Sequence, residues 1–564
     1  MGLFPRRLFI WVAPAVFLGL FFFQPLARIL SLGLDLSFLA KSPYFISRAL
    51  NVIGFTFYQA ALSTLLTLLL GLPLANLFAR FDFPSKPVFR ALTAIPFMLP
   101  TVVVAAGFTA LLGPRGWLNL ALMALLGFKQ PPIVFAGTLW AILVAHVFYN
   151  ATIVIRIVGN AWASQDVRLV DAARSLGASP LMTFFHVTLP LLRPAILAAS
   201  LLVFLFDFTS YGVILLLGGP KFATLEVEIY IQALHMLNLP AASLLSVAQL
   251  LCTLGFSAIY SRYVSKITIT ARPRAAWLTV QKPGTNLQKL FVFSLLSILT
   301  LFFALPLLAL PLRSVSRLEA DRTSQIGNGP IITFDYYREL FINRRASLFY
   351  VPPVQAARNS LAYACLTVFL SLLLGFPAAS AMARPGRLEK WIDPLLMLPL
   401  GASSVTLGLG YILTFNRPLL PGFSPLLTSP FLIPLAHTTI ALPFVIRSLQ
   451  VAFSQIPERY REAAAVLGAS PLKIWLMIDW PIISRAAIAA GAFAFTISLG
   501  EFGAASLLAR PEYPTLPTAI YRFLSQPGGM NYGQAMAMAT ILMLVCGLGI
   551  IVIESLRLPG TGDF

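Results

Sequence analysis

Long apolar runs alternate with short polar connections along the whole chain. Twelve runs reach the roughly 20 residues that an α-helix needs to cross a bilayer. We therefore expect an all-α polytopic membrane protein with about 12 transmembrane helices. The first run follows Arg6-Arg7, and since no small-residue cleavage site comes after it, we interpret it as a retained span. The predicted spans are 8–30, 52–78, 88–112, 133–157, 194–217, 241–262, 290–312, 359–383, 391–415, 429–450, 486–509 and 533–556.

Composition supports this class. Of 564 residues, 58% are hydrophobic and 11% are charged, whereas a soluble protein is about a quarter charged. A net charge of +20 in a soluble protein would suggest a nucleic-acid partner. In a membrane protein it indicates basic connections beside the cytoplasmic leaflet, so we expect no nucleic acid. The three cysteines lie within apolar runs, which predicts neither a disulfide framework nor a metal site.

Lysine and arginine set the expected orientation. With the N-terminus inside, the cytoplasmic connections and span ends hold 24 of the 40 basic residues. The short outer connections hold nine, and the long outer loop 313–358 holds seven. Because basic residues are retained in the cytoplasm, both termini are predicted to be cytoplasmic.

The second half of the chain repeats the first. The stretch Asp171-Ala-Ala-Arg-Ser-Leu-Gly177-Ala-Ser-Pro180 returns as Glu462-Ala-Ala-Ala-Val-Leu-Gly468-Ala-Ser-Pro471, 291 positions later. Two six-span halves in one orientation predict a parallel repeat about a pseudo-two-fold axis along the membrane normal. The same offset relates His146 to His437 and Tyr230 to Tyr521, while an upstream offset of 303 relates Gly107 to Gly410.

The predicted domain organisation follows from this repeat. The linker between the halves carries six basic residues and no acid, as expected beside an anionic leaflet. The units are an N-terminal span and outer loop (1–50), a first transmembrane domain (51–261), the basic cytoplasmic linker (262–289), a span with the long outer loop (290–358), a second transmembrane domain (359–556) and a C-terminal tail (557–564).

Each copy of the repeated stretch predicts a short helix, a sharp turn and a second helix. The acid and two alanines suit the first turn of a helix, where the acid meets the positive end of the dipole. Gly177 and Gly468 supply a left-handed stop. Ser-Pro then gives the N-cap and first position of the next helix. Such a protruding turn is expected to fit a socket on a partner protein.

These residues carry a resemblance. Both copies have the same pattern: an acid and two alanines, three further residues, Gly, nine further residues and I/V-x-L-Pro. This pattern resembles the cytoplasmic EAA loop of binding-protein-dependent ABC importer permeases. The departures are Asp171, Val187 and Trp480. The resemblance implies the type I permease fold, in a fused form similar to thiamine and ferric-iron permeases. It assigns ATPase coupling to Asp171, Ala172, Ala173, Gly177 and Pro190, and to Glu462, Ala463, Ala464, Gly468 and Pro481.

The resemblance also implies the partners. We expect two ABC ATPase subunits that bind ATP and Mg, an extracytoplasmic substrate-binding protein, and the plasma membrane of a prokaryote. This chain is expected to bind no cofactor and to catalyse no reaction, and no phosphate loop or nucleophile–base arrangement stands out in it. A twelve-span secondary transporter is the alternative, but it has no use for two EAA loops, and a channel explains neither feature.

Two acids lie inside the spans that follow the EAA loops. A charge at the centre of a span costs about 2.5–3.5 kcal/mol, so Asp207 and Glu501 are candidates to face a substrate path. Such acids favour a cation, which points to thiamine or ferric iron. Alternatively, each acid pairs with a neighbouring helix or reaches the outer interface. His146 and His437 are expected to make helix-packing hydrogen bonds. The candidate path residues are Asp207, Ser210, Tyr211, Ser498, Glu501 and Phe502.

Overall fold

The computed structural model describes residues 4–35, 43–267, 281–317, 332–343, 351–418 and 424–555. Within these ranges the chain is helical and forms no β-strand. Two isolated bridges pair Phe81 with Gln281 and Ser316 with Ile332. The all-α prediction is confirmed.

The helices fall into two series. The first comprises α1 (Phe4–Leu18), α2 (Gln24–Gly33), α3 (Pro43–Arg80), α4 (Lys86–Met98), α5 (Thr101–Leu112), α6 (Trp117–Leu126), α7 (Leu139–Ala163), α8 (Val167–Ser175), α9 (Pro180–Thr183), α10 (Leu189–Phe208), α11 (Leu225–Tyr230) and α12 (Leu239–Ile267). The second comprises α13 (Asn286–Leu299), α14 (Leu305–Ser314), α15 (Asp335–Glu339), α16 (Pro353–Met382), α17 (Arg387–Gly401), α18 (Ser404–Phe415), α19 (Leu432–Ser454), α20 (Glu458–Val466), α21 (Pro471–Ile474), α22 (Trp480–Gly500), α23 (Gly503–Leu508), α24 (Leu516–Leu524) and α25 (Gly529–Ser555).

The third span of each half is broken, which the apolar runs did not show. Among the described residues, 11 helices are long and apolar enough to cross a membrane, or up to 12 if α17 and α18 are one span. The span predicted at 391–415 corresponds to α17 and α18, which are bent by 98° at the break between them. The span predicted at 88–112 is likewise interrupted between α4 and α5. Pro100 has no backbone N–H and keeps Leu99 extended, while the Ser403 hydroxyl accepts from the Thr406 N–H (3.0 Å) and caps α18.

The spans predicted at 194–217 and 486–509 begin and end earlier than expected. α10 ends at Phe208 and α22 ends at Gly500. Each continues backwards through a π-helical turn, Phe184–Thr188 or Trp475–Asp479, into the short helix of the EAA motif. Pro190 and Pro481 are the second residues of α10 and α22. A proline lacks the N–H for the next helical bond, and the wider π turn accommodates its absence.

The predicted linker 262–289 is shorter than expected, because α12 runs on to Ile267 and α13 begins at Asn286. The stretch 268–280 lies outside the described residues. At its far end the backbone N–H of Gln281 donates to Arg80 O (2.8 Å), and that of Asp82 donates to Gln281 O (2.9 Å). The linker therefore re-enters the structure beside the end of α3.

Each half is built on three helices that pack against one another. These are α3, α7 and α10 in the first half, and the equivalent α16, α19 and α22 in the second. The equivalence of these two groups agrees with the parallel repeat predicted from the sequence.

The first span of each half packs on the opposite half. α1 and α2 pack against α16 and α18, and Trp11 and Phe22 are buried in the second-half core. α14 packs against α5, and Phe303 stacks on Phe148 with ring centroids 5.5 Å apart. The two halves are therefore interlocked rather than simply adjacent.

Two equivalent glycines allow the first span of each half to pack closely on the opposite half. We call these two spans the exchanged spans. A Cβ on Gly410 would lie 2.9 Å from Pro25 Cβ, and a Cβ on Gly107 would lie 2.9 Å from Pro306 O. Both distances are too short for any side chain at these positions. The sequence match between Gly107 and Gly410 thus marks two equivalent points where an exchanged span meets the other half.

Candidate functional site

The first EAA motif folds as predicted, into a helix, a left-handed glycine and a second helix. Gly177 has a φ of +87°. Its N–H donates to Arg174 O (2.9 Å), and the N–H of Ala178 donates to Ala173 O (3.1 Å). These two bonds form a Schellman motif, which ends a helix and favours glycine at the left-handed position. The Ser179 hydroxyl then accepts from the Met182 N–H (3.2 Å) and caps α9.

The second EAA motif repeats this geometry. Gly468 has a φ of +79°, and its N–H donates to Ala465 O (3.0 Å). The N–H of Ala469 donates to Ala464 O (3.0 Å). The second alanine of each EAA motif, Ala173 or Ala464, is therefore the acceptor that closes the turn.

The predicted position of the acid within the helix is wrong. Asp171 is the fifth residue of α8, and Glu462 is the fifth of α20. α8 instead begins behind Asp166, whose carboxylate accepts from the Arg168 N–H (3.1 Å), and α20 begins with Glu458 in its first turn. The EAA acids are thus exposed in mid-helix, where they are free to meet a partner rather than the helix dipole.

Each EAA turn ends in an apolar tip. Leu176 and its equivalent Leu467 are 88% and 86% exposed. Leu181 and Leu472, one turn later, are also exposed. Ala172 and Ala463 are exposed on the preceding helix. Matching apolar residues left in solvent at two equivalent turns indicate a surface that a partner covers.

The two EAA turns are fastened differently to their own halves. At the second turn, Arg461 Nε donates to Asp479 Oδ1 (2.7 Å), and Arg384 pairs with Glu458 (2.5 Å). At the first turn, Gln165 Nε2 donates to Thr188 O (3.2 Å), at the position equivalent to Asp479. At these equivalent positions the second turn therefore has a charged pair, Arg461 with Asp479, where the first has a neutral hydrogen bond to Thr188.

Each EAA turn is the closed end of a helical hairpin. In the first half, α7 ends three residues before α8, and α10 leaves on the other side of the turn. α7 and α10 pack against each other. In the second half α19 and α22 have the same arrangement. A displacement of either turn therefore acts directly on both helices of its hairpin.

Four aromatic rings meet at the far ends of these hairpins. Tyr211 follows α10, Phe502 follows α22, and their rings stack with centroids 5.4 Å apart at 29°. Tyr230 packs on Tyr211 (5.6 Å, 59°), and Tyr521 packs on Phe502 (5.5 Å, 59°). We call these four residues the aromatic quartet. The repeat offset relates Tyr211 to Phe502, and two equivalent residues that touch must lie at the pseudo-two-fold axis.

The aromatic quartet fills the axis in this conformation. Tyr211 and Phe502 are both buried, and Tyr211 Oη is 2.8 Å from Ser506 Oγ. A cavity of about 180 Å³ borders the quartet. Its walls include Tyr230, Phe502, Tyr521, Arg510 and Arg522.

His146 joins α3, α7 and the end of α10. Its Nε2 lies 2.8 Å from Ser210 Oγ, and its Nδ1 lies 3.0 Å from Ser63 Oγ and 3.3 Å from Asp207 Oδ1. Asn150 Nδ2 also donates to Asp207 Oδ1 (2.7 Å). We call these five residues the first histidine cluster. All but Ser210 are fully buried.

His437 builds the equivalent cluster in the second half. Its Nδ1 lies 2.8 Å from Ser498 Oγ, and its Nε2 lies 3.4 Å from Glu501 Oε2. The Ser498 hydroxyl donates to Thr367 Oγ1 (3.3 Å). These four residues are the second histidine cluster. Glu501 also accepts the N–H groups of the second and third residues of α23, at 2.9 and 3.0 Å, and so caps that helix.

The helix-packing hydrogen bonds predicted for His146 and His437 are present. Asp207 and Glu501 are buried, and each pairs with a histidine of a neighbouring helix. Pairing of this kind was the alternative to a substrate-path role in the sequence analysis. That these acids line a substrate path stays a prediction. Sequence reasoning missed Ser63 and Thr367, although they match at an offset of 304 with a hydroxyl in both halves.

Comparison with known proteins gives the family. Residues 67–268 and 371–556 match the family described as binding-protein-dependent transport system inner membrane component. The chain is 29% identical to the thiamine transport system permease protein ThiP of Brucella abortus (strain 2308), over 88% of this chain and 86% of that protein. It is 28% identical to the ThiP of Escherichia coli (strain K12), with 90% and 89% covered. It is 26% identical to the ThiP of Haemophilus influenzae, with 96% and 95% covered.

The family match falls once on each half and covers more than half of the chain. It fits the duplicated helical hairpins, the two EAA turns and the membrane-spanning helices. This chain is a multi-pass inner-membrane permease that belongs to the binding-protein-dependent transport system inner membrane component family.

Proposed function

We propose that this chain forms the translocation path of an ATP-driven thiamine importer and is driven by two separate ATPase subunits. One observation carries the coupling: each EAA turn closes a hairpin whose far end carries a member of the aromatic quartet. Movement of an ATPase subunit against Leu176 or Leu467 would reach the quartet through two packed helices. ATP and Mg belong to the ATPase subunits in this proposal, and the permease chain holds no cofactor.

The orientation follows from the basic residues. Both termini and both EAA turns are assigned to the cytoplasm of a prokaryotic cell, and the aromatic quartet lies towards the outer face of the plasma membrane. The quartet is then an outer gate, closed in this conformation. A substrate-binding protein would deliver its cargo on the far side of the gate, where the cavity beside Tyr230 and Tyr521 lies.

Cysteine labelling tests this topology. In a chain whose three native cysteines are replaced by alanine, Leu176→Cys and Leu467→Cys should react only with reagents that enter the cytoplasm. Phe341→Cys, exposed in the outer loop, should react from outside and is the matched control. Labelling of either EAA position by an impermeant external reagent would contradict the proposed orientation.

The proposed substrate rests on the names of the relatives and on the aromatic quartet. Thiamine carries a positively charged thiazolium ring, and aromatic faces attract such cations by about 0.5–2 kcal/mol. Four aromatic side chains at the axis therefore suit a flat organic cation.

Transport by the reconstituted complex is the direct test. Proteoliposomes are prepared with the permease, its ATPase subunits and its binding protein. They should accumulate radiolabelled thiamine only when ATP is present on the side of the membrane that carries the ATPase subunits. The loaded binding protein should raise ATP hydrolysis. Ferric iron is the comparison substrate. Iron uptake without thiamine uptake would refute the assignment of thiamine and leave the ATP-driven mechanism standing.

A further inference from the structure

The histidine clusters lie at the open ends of the EAA hairpins. His146 is 17 residues before the end of α7, which is about 25 Å along the helix. Asp207 is 18 residues after the start of α10, about 27 Å. The EAA turn thus joins the two helices at one end, and the histidine joins them at the other.

Each cluster is also adjacent to the gate in sequence. Ser210 precedes Tyr211, and Glu501 precedes Phe502. Both Ser210 and Glu501 approach the Nε2 atom of their histidine. The last residue before each gate ring therefore lies against the histidine of the helix that leads into the EAA turn, Ser210 through a hydrogen bond and Glu501 through a 3.4 Å contact.

The acid and the serine exchange places between the halves. The Nδ1 atom faces Asp207 in the first half and Ser498 at the equivalent position in the second. The Nε2 atom faces Ser210 in the first half and Glu501 in the second. From these two equivalent positions each histidine receives one carboxylate and one hydroxyl, in opposite order in the two halves. This pattern fits a requirement for one such set per hairpin, rather than for an acid at one fixed depth.

Neither cluster is fully satisfied. Within the described residues, Asp207 Oδ2 in the first cluster and His437 Nε2 in the second are buried without a hydrogen-bond partner. A buried polar network is strong when complete and costly when an acceptor is left over. A network that keeps one such acceptor in the closed state can be opened at lower cost than a complete one, as a device that alternates between two states requires.

We infer that His146 and His437 are positioning residues that clamp the outer gate. Each holds the helix end that carries its gate aromatic to the helix leading into the EAA turn, and releases it when the turn moves. The inference goes beyond the proposed function, although it rests on ATP-driven gating. In this role Asp207 and Glu501 act through the histidines and not on the charge of the cargo.

The test compares ATP hydrolysis with transport in the reconstituted complex. His146→Ala and His437→Ala should each raise ATP hydrolysis in the absence of binding protein by about 5-fold or more, the effect of losing a coupling energy of 1–3 kcal/mol. Thiamine import per ATP should fall by a similar factor. Ser200→Ala is the control, because its hydroxyl bonds only to Ile196 O of the same helix. It should leave both rates unchanged.

An exchange variant separates the clamp from a purely structural role. Asp207→Ser with Asn150→Ala removes the acid from the first cluster and should uncouple it. Adding Ser210→Glu to that variant reproduces the arrangement of the second half, where position 441 is already alanine. This triple variant should recover most of the coupling. If His146→Ala fails to assemble, the pair of variants that differ only at position 210 still decides the question.

Three results would overturn the clamp. The first is normal coupling in both histidine variants. The second is a triple variant as defective as the one that lacks the acid. The third concerns the double variant Asp207→Asn with Glu501→Gln. If it loses thiamine import while loaded binding protein still stimulates ATP hydrolysis normally, the acids act on the substrate rather than on the histidines. The ATP-hydrolysis measurements do not depend on the identity of the cargo. A wrong thiamine assignment is therefore recognised separately, because the wild-type complex itself would then fail to import thiamine.

Discussion

Valine in place of Gly468 will break the link between ATP hydrolysis and import while the membrane region remains folded. The φ of +79° strains a β-branched residue by about 1–3 kcal/mol. A Cβ at this position meets no other atom within 4 Å, so the strain is confined to the backbone. We expect the turn to relax by giving up its Schellman bonds, which displaces the Leu467 tip from its ATPase socket.

Two measurements check this prediction. Co-purification of the ATPase subunits and thiamine import in proteoliposomes should both fall, import by about 5-fold or more for a lost coupling of 1–3 kcal/mol. Gly468→Asn is the matched control, because asparagine tolerates the left-handed conformation. Gly177→Val should have a smaller effect, since the first motif departs more from the EAA pattern. If both valine variants bind the ATPases and import normally, the EAA turns do not couple the two proteins.

Removing both central rings of the aromatic quartet will turn the importer into a leak. In Tyr211→Ala with Phe502→Ala the two stacked side chains that meet at the axis are gone, and only the outer pair of the quartet, Tyr230 and Tyr521, remains. The cytoplasmic side is expected to be open when the outer gate is closed. Thiamine should then diffuse through the variant down its concentration gradient, and this movement should not require ATP.

The measurement is efflux of thiamine from loaded proteoliposomes in the absence of nucleotide. The wild-type complex should retain its load, and the double variant should release it. Tyr211→Phe is the control, because it removes the hydroxyl that meets Ser506 Oγ but keeps the stacked ring. A double variant that stays impermeable and imports normally would show that the aromatic quartet is not the gate.

Features that depend on local chemistry were predictable from the sequence. The EAA turn follows from Gly177 and Ser179, whose effects reach only a few residues along the chain. The start of its helix was misplaced, because the capping Asp166 competes with the acid-Ala-Ala stretch that gives the motif its name. The duplication was predictable because matched residues recur at a fixed offset.

Features that depend on packing were not predictable. Apolar runs report length and composition, so they carry no sign of the 98° bend between α17 and α18. The sequence also does not say which half a hydrophobic span will pack against. The repeat did place hydroxyls at Ser63 and Thr367 and histidines at His146 and His437. Only the fold brings each hydroxyl into the same cluster as its histidine, which is 70 or more positions away in the sequence.

The exchanged first spans dictate an order of assembly during synthesis. Pro25 is inserted early, but its contact at Gly410 is translated only after most of the chain has left the ribosome. The contact surface at Gly107 likewise waits for Pro306. Neither half can complete its packing as an independent unit, so the first half must remain in the bilayer as an unfinished intermediate until the second is made. Fusion of the halves into one polypeptide ensures that the complementary span always arrives, in equal amount and beside the half that needs it.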